Sequence, residues 1–418
     1  MMSVRRYGRR LESGMNDVRW HWFRRSDLWI AVILVVLAAA TRGWSAPKSS
    51  SSRKPAEKAK PDASDPFFTN GPIPYLKIQV GETNLAVLRT NNRNYVPATV
   101  KDGDTVYEDV GIHLKGAAGS FRGLEDKPAL TLNFTKFKSG QRFYGLDKIH
   151  LNNSVQDPSY MTELLCGELF RAANVPAART THARVELNGR DLGLFVLKEG
   201  FDKTFLRRYF KNPNGNLYDG GFLREITEPL QKICGDETND YAPLKALAVA
   251  ANETNAAVRW SRLEKALDMD RFLSFMAVDI MAWDWDGYAM KRNNYRVYHE
   301  PTTDKIVFFP HGMDQMFWVP DGPIFPGMEG LVAKAVITTP EGKRRYRECV
   351  GILFTNVFRI EILTNRISQV QARIRPALAA ISPDDARNHD GAVNHLRDEV
   401  VQRIVGLRKL ISLPDSNP

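Results

Sequence analysis

Two hydrophobic periods divide this chain, and the change from one to the other limits what it can fold into. Up to Lys198 the folded part reads as strands. Tyr75, Ile78 and Val80 suggest the first, Val110, Ile112 and Leu114 alternate in a second, and Leu130, Leu132 and Phe134 in a third. Asn188-Gly189 between two apolar runs, residues 182–187 and 192–198, predicts a hairpin. Beyond residue 344 the spacing becomes helical. Residues 344–353, 360–378 and 393–411 read as three amphipathic helices, the last with the stripe Val400, Ile404, Leu407 and Ile411. A strand-rich first part followed by a helical second part predicts an α+β fold in two lobes. With 418 residues the chain is long enough to bury a substantial core.

Helices are also expected within and between these parts. Asp157-Pro158-Ser159 reads as a helix start, with Asp as N-cap and Pro at the first position. Met161, Leu165, Leu169 and Ala173 then form a buried face, with Glu163 and Glu168 off it. Residues 204–210 read as a short basic helix. Residues 235–258 and 261–267 read as helical around a polar insert at 236–240.

The first 66 residues have a different character. Residues 1–46 carry eight arginines and three acids, half of the net charge of +10. Residues 28–40 are an uninterrupted apolar run of 13, short of the roughly 20 that a spanning helix needs. A basic lead before a short apolar core predicts a signal peptide or signal anchor that exports the rest, with membrane anchoring if it is uncleaved. Residues 47–66, rich in Ser, Lys, Pro and Ala, are expected to be a disordered linker. The folded domain is then 67–411, with lobes of about 67–199 and 200–411.

Chemistry concentrates after a predicted helix at 271–283, whose apolar face is Phe272, Met276, Ile280 and Trp283. There follow Asp284 and Asp286 among tryptophans, then Asn293-Asn294. A hairpin of residues 295–299 and 305–309 comes next, and then Asp314 in an apolar setting. A hairpin returns the chain to its start, so both acidic loops can meet. Carboxylates in apolar surroundings need partners. Hard cations such as Mg²⁺ take oxygen ligands, and phosphoryl transfer needs a carboxylate beside the attacking hydroxyl. Ordinary turn formation by Asp-Gly and Asn-Asn is the competing explanation. Upstream, residues 115–123 include Gly116, Gly119, Ser120, Arg122 and Gly123 between two strands, with Lys127 at the start of the next. Such a loop can offer backbone N–H groups to phosphates, although no Walker sequence is present.

Other classes are disfavoured. Cys166, Cys234 and Cys349 lack zinc or redox spacing, and Cys166 falls on an apolar helical face. The eight histidines show no metal-binding spacing, which argues against a zinc hydrolase. No Lys/Arg stripe interleaved with aromatics marks the folded part, so nucleic acid is not expected as a partner.

Several segments resemble one family. Leu151-Asn152-Asn153, Asp157-Pro158-Ser159-Tyr160-Met161, Glu168-Leu169-Phe170-Arg171 and Val175-Pro176-Ala177 are similar to the CotH kinase family, named for a spore coat protein. So are Val185-Glu186-Leu187-Asn188-Gly189, Leu192-Gly193-Leu194-Phe195 and Asn293-Asn294-Tyr295, in the same order, over residues 73–411. The resemblance implies an atypical protein-kinase-like fold, ATP and Mg²⁺ as cofactors, and protein Ser or Thr as substrate. It implies Asp286 as catalytic Asp, with Asp284 where the family has Asn. Asp314 is implied to hold Mg²⁺ together with Asn293 or Asn294, and Asp284 is a further candidate metal ligand. Lys127 is implied to bind phosphate, with Glu168 as its ion-pair partner, and residues 196–199, including Glu199, to link the lobes near adenine. His311 and Gly312 replace a family Trp and Asp. That loss leaves open a catalytically inactive surface protein that binds a partner or nucleotide. It also predicts that Gly312→Asp leaves activity unchanged or raises it. A phosphate-ester hydrolase is the third class, disfavoured because no His or Cys nucleophile accompanies the acids.

Two tests follow from the sequence. The leader should export the protein, and fractionation that finds it in the cytoplasm with its first 40 residues intact contradicts this. Lys127→Ala should weaken ATP binding without unfolding the chain. Unchanged affinity moves the phosphate site elsewhere, with Lys115 and Arg122 as next candidates.

Overall fold

The structure is a computed structural model that describes residues 62–412 apart from Asn70, Ala118, Glu237 and Asp240. The expected leader and residues 47–61 of the expected linker lie outside the described residues. Residues 62–66 do not behave as a linker. Asp62 and Asp65 pair with Arg179, Asp62 also pairs with Arg208, and Ser64 accepts a hydrogen bond from Arg179. A short helix α1, Asp65–Thr69, follows and buries Phe67 and Phe68.

Seven strands form the first part: β1 Tyr75–Gln79, β2 Val96–Asp102, β3 Thr105–Lys115, β4 Ala129–Asn133, β5 Lys148–Asn152, β6 Thr180–Leu187 and β7 Arg190–Glu199. They close into a barrel in the order β1-β2-β3-β4-β5-β7-β6. All neighbours are antiparallel except β1 and β6, whose parallel pairing shuts the barrel. Asn188 and Gly189 take the positive φ angles, 49° and 81°, that a tight hairpin requires, as expected. The Asn188 side chain also bonds both polar groups of Val80 and so fastens the end of β1. Helix α2, Glu82–Thr90, buries Leu85 and Leu88 and lies beyond the alternation that identified the strands.

Strand alternation fixes where the site lies. Val110, Ile112, Leu114, Leu130, Leu132, Ile149, Leu151 and Leu197 fill the barrel interior. Their sequence neighbours Lys115, His150, Asn152 and Lys198 therefore face outward. Helix α3, Thr162–Ala172, crosses this outer side, and its apolar residues join the core of the helical part rather than that of the barrel. The helix starts later than expected. Asp157 caps it from a preceding turn, accepting from Ser159 N at 3.0 Å and Thr162 N at 2.8 Å.

The second part contains α4 Lys203–Tyr209, β8 Leu217–Asp219, β9 Gln231–Cys234, α5 Ala242–Ala251, α6 Ala256–Ala266, α7 Met269–Met281, α8 Tyr288–Lys291, β10 Tyr295–Glu300, β11 Lys305–Pro310, α9 Leu331–Ile337, α10 Pro340–Asn356, α11 Ile360–Ala379 and α12 Pro383–Ser412. β11-β10-β8-β9 form a second sheet. The helix expected from residue 235 begins at Ala242 and is broken before α6, whose N-cap is Asn255. α7 ends two residues short of Trp283, which sits at φ 58°.

The fold is thus mixed α+β, with a β-rich N-terminal part and a helical C-terminal region. It departs from two independent lobes in its closed barrel and in α3, which lies in the first part of the sequence but in the second core. Residues 196–199 lie within β7, paired to both β5 and β6, rather than in a free connection. Cys166 is buried as expected, and none of Cys166, Cys234 and Cys349 forms a disulfide. Among the described residues no helix is long and apolar enough to cross a membrane.

Arg403 of α12 ties the C-terminal helix to the end of α7. It is fully buried, and its guanidinium donates to the carbonyls of Ile280, Met281, Val319, Pro320 and Gly322. Positive charge at a helix C-terminus is favourable, and each carbonyl gains a donor. Arg403→Ala strips all five of that donor in one step. It should cost about 3 kcal/mol or more, since each buried group left without a partner costs roughly 1–3 kcal/mol. Denaturant unfolding checks this, and a change below 1 kcal/mol, well under one such penalty, would contradict it.

Candidate functional site

A line of hydrogen bonds runs along the outer face of the barrel into the second part. Lys115 of β3 donates to Asn152 of β5, and Asn152 donates to Glu163 in the first turn of α3. Lys198 of β7 donates to the other oxygen of Glu163 and lies 3.1 Å from His311 Nδ1, just beyond β11. Lys198 is 0 % exposed and Glu163 3 %. Burial works against the Glu163 carboxylate, but the charges of Lys198 and Lys115 outweigh it and hold the group below its ordinary pKa. Burial pushes Lys115 down to about 8. His311 is held well below its usual value by burial and by Arg296 and Lys198, so its neutral ring accepts from Lys198.

The two acidic loops meet beside this line. Asp286 Oδ2 accepts from the amides of Asn293 at 2.9 Å and Asn294 at 3.0 Å, as the chain leaves α8 for β10. Burial raises the Asp286 pKa. Asp284 is buried against Asp279 of α7; burial, then the Asp279 charge, drives its carboxyl well above the ordinary range. Asp286 and Asp314 add to that effect. Asp314 is pushed up to about 7, first by burial and next by Glu163, while Lys115 acts in the opposite direction. Asp314 is therefore within electrostatic reach of both the acidic loop and the Lys-Glu line.

Sequence reasoning placed Asp284, Asp286, Asn293, Asn294 and Asp314 in one region, and the structure brings them together. It missed Lys115 as a principal group, and it missed Glu163, Lys198, Asn152 and Asp279. A signal for Lys198 was available. Residues 194–197 are apolar without a break, which marks a strand buried on both faces and so places the following lysine out of water.

Of the other expected residues, the loop after β3 and Lys127 lie at one end of the barrel, Glu168 lies on α3, and Glu199 lies towards the opposite barrel end. In the loop after β3, Gly116 and Gly119 have φ of 101° and 81°. Ser120 Oγ accepts from Ala117 N, and Arg122 donates to the carbonyls of Gly119 and Phe121. Lys127 donates to the Tyr160 hydroxyl at 3.2 Å and lies over the rings of Tyr160 and Phe195; burial pulls it down to about 8. Glu168 is not its partner, because Glu168 pairs with Arg366 at 2.7 Å. The Glu199 carboxylate is buried and held by Arg179 and Arg208 at 2.9 and 2.8 Å.

The fit of a cation can be tested on the acids. Their donors are all oxygens, and Asp284 Oδ2 is buried without a hydrogen-bond partner. Among the described residues Asp284, Asp286 and Asp314 form no ion pair, and no three His, Cys, Asp or Glu side chains converge as a metal group. This donor set fits Mg²⁺, which binds through one or two carboxylates together with substrate phosphates.

Residues 112–405 match the family described as CotH kinase protein. The chain belongs to that family. Similar curated proteins include Invasin CotH3 of Rhizopus delemar, 26% identical over 269 residues, 54% of this chain and 43% of that protein. Invasin CotH2 of the same organism is 26% identical over 267 residues, covering 54% and 44%. Inner spore coat protein H of Bacillus subtilis is 24% identical over 263 residues, covering 57% and 71%. The chain thus spans less than half the length of the two invasins.

An Asp at position 312, expected from the sequence to leave activity unchanged or raise it, would meet an unfavourable backbone and a close neighbour. Gly312 has φ 63°, and a Cβ there would lie 2.5 Å from Asn294 Oδ1. Asn294 is one of the two donors to Asp286. Gly312→Asp should therefore displace Asn294 and weaken the fold by about 1 kcal/mol or more, because a side chain is strained at positive φ. Thermal denaturation checks this; an unchanged or higher Tm would show that the loop accepts the carboxylate.

Proposed function

We propose that this CotH family member is an atypical protein kinase that transfers the γ-phosphoryl group of ATP to a Ser or Thr hydroxyl of a protein. The observation that carries the reading is the buried pair of Lys198 and Glu163, strand to helix, beside Asp314. Protein kinases use a strand lysine on the phosphates, braced by a helix glutamate, opposite a carboxylate that holds Mg²⁺. In this reading the barrel part serves as the nucleotide-facing lobe and the helical part as the lobe that carries the acids.

Each residue then has a separate task. Lys198, oriented by Glu163, binds phosphate oxygens. Lys115 adds a second positive charge, so the one paired carboxylate does not cancel both ammonium groups. Gly116, Ser120, Arg122 and Lys127 remain candidates for outer phosphate contacts. Asp314, with Asn293 or Asn294, would hold the cation, and Asp284 lies within its field. Bound Mg²⁺ would supply the charge that neutralises the transferring phosphoryl oxygens. Asp286, turned by its two asparagine donors, positions the acceptor hydroxyl and takes its proton. A positioned carboxylate of this kind contributes about 10²–10⁴-fold.

The leader composition and the names of the relatives, an inner spore coat protein and invasins, support a site of action outside the cytoplasm, secreted or at a cell surface. One observation favours a second reading, a catalytically inactive surface protein. At Gly312 the family carboxylate is absent, and a side chain there would be strained by the positive φ and would have to displace the Asn294 amide. Radiolabel transfer from γ-labelled ATP to a mixed protein acceptor separates the two.

Asp286→Asn should reduce transfer by about 10²-fold or more and leave ATP binding largely intact, since its task lies in the transition state. Asp314→Asn and Lys198→Met should each weaken Mg²⁺-dependent ATP binding. If none of the three alters transfer or binding, the acids are turn formers and the reading fails.

A further inference from the structure

Each acidic loop carries a tryptophan next to its carboxylate. Trp285 lies between Asp284 and Asp286, and Trp318 follows Asp314 by four residues. The two indoles meet edge to face, with centroids 6.2 Å apart and planes at 78°. One aromatic pair is thus assembled from both loops at the edge of the acidic centre.

Three features distinguish this pair from ordinary packing. Trp318 is 53 % exposed although Met316 and Phe317 beside it are buried. Of the tryptophans among the described residues, only Trp318 is exposed. Its outward position is built into the backbone. Phe317 has φ 68°, an unfavourable angle for a bulky residue, and is held there by its N–H bond to Ala282 O at 2.7 Å and by its buried ring. Finally, Trp285 Nε1 is buried and makes no hydrogen bond. A buried donor without an acceptor is unfavourable unless a ligand supplies one. Of the nearby positive charge, Lys291 and Arg292 share the single carboxylate of Glu329.

We propose that Trp285 and Trp318 form the acceptor platform of the site. It would take an extended protein segment that has a bulky apolar or aromatic side chain next to the Ser or Thr. That side chain packs on the exposed Trp318 ring. The inference rests on the phosphoryl-transfer reading and narrows its substrate class. Its anchor is of the usual kind, because exposed tryptophans supply much of the affinity at protein contacts.

Fluorescein-labelled peptides with Ser flanked by Leu or Phe, or by Asp or Lys, test this on the full chain. Binding is read by polarisation with Mg²⁺–ATP present, and transfer is read in parallel. Apolar-flanked peptides should bind about tenfold more tightly or better, the size of a typical hot-spot contact. Trp318→Ala should remove that preference, raising KM more than it lowers kcat, while Trp318→Phe restores most of it. Titration of Mg²⁺–ATP serves as the folding control. Equal binding of all peptides, or an unchanged preference in Trp318→Ala, overturns the platform and leaves the kinase reading intact. Preferential binding lost in Trp318→Ala without any transfer keeps the platform and defeats the kinase reading. Sedimentation that shows a dimer abolished by Trp318→Ala would assign the pair to a second copy of this chain and overturn the proposal.

Discussion

Lys198 and Glu163 are both out of water, and the arrangement around them follows from that. Moving two charges into a protein interior costs several kcal/mol each, and their attraction offsets this only with good geometry and satisfied neighbours. Here the neighbours are Asn152, Lys115 and His311, drawn from two more strands and from the loop beyond β11. The pair therefore requires the outer face of the barrel, the start of α3 and the end of β11 to meet at one place. A hydrophobic pair of similar size would pack at lower cost. Retaining a polar one at this seam makes sense if its charges face a ligand.

The acidic loops are held from the opposite side. α7 carries its apolar residues into the main core, and Arg403 fastens its last carbonyls to α12. Gly406 lets α12 approach, since a Cβ there would clash with the carbonyl oxygen of Pro320. Asp284 and Asp286 thus leave a fixed helix end, and Asp314 leaves a fixed strand end. With this support the carboxylates persist although burial raises all three pKa values and neighbouring carboxylates raise those of Asp284 and Asp314 further. Neutralisation of that crowding by a cation, which then admits the phosphates, is the common thread of the proposed chemistry.

Much of this was legible in the sequence, and the failures have physical causes. The Asn188-Gly189 hairpin, the strands β3 and β4, the hairpin of β10 and β11 and the three C-terminal helices follow from local periodicity. The acidic residues fell together because a hairpin separates them. Barrel closure was not legible, since the parallel pairing of β1 with β6 joins residues more than 100 positions apart. Glu163 was placed off the buried face because helix periodicity describes apolar contacts and says nothing of a buried lysine across the seam. Lys127 and Glu168 were matched by position along the chain, whereas Glu168 had Arg366 available nearly 200 residues later. Gly312 looked like a missing carboxylate, and only its φ and the nearby Asn294 show that a side chain there would be strained and would displace that amide.

The central claim is that the Lys198–Glu163 line and the acidic loops form one nucleotide site. Calorimetric titration of the full chain with ATP, with and without Mg²⁺, tests it most directly. The account predicts binding at one site per chain that Mg²⁺ strengthens markedly, because the acids repel phosphates until a cation neutralises them. No binding, or binding that Mg²⁺ leaves unchanged, would contradict it.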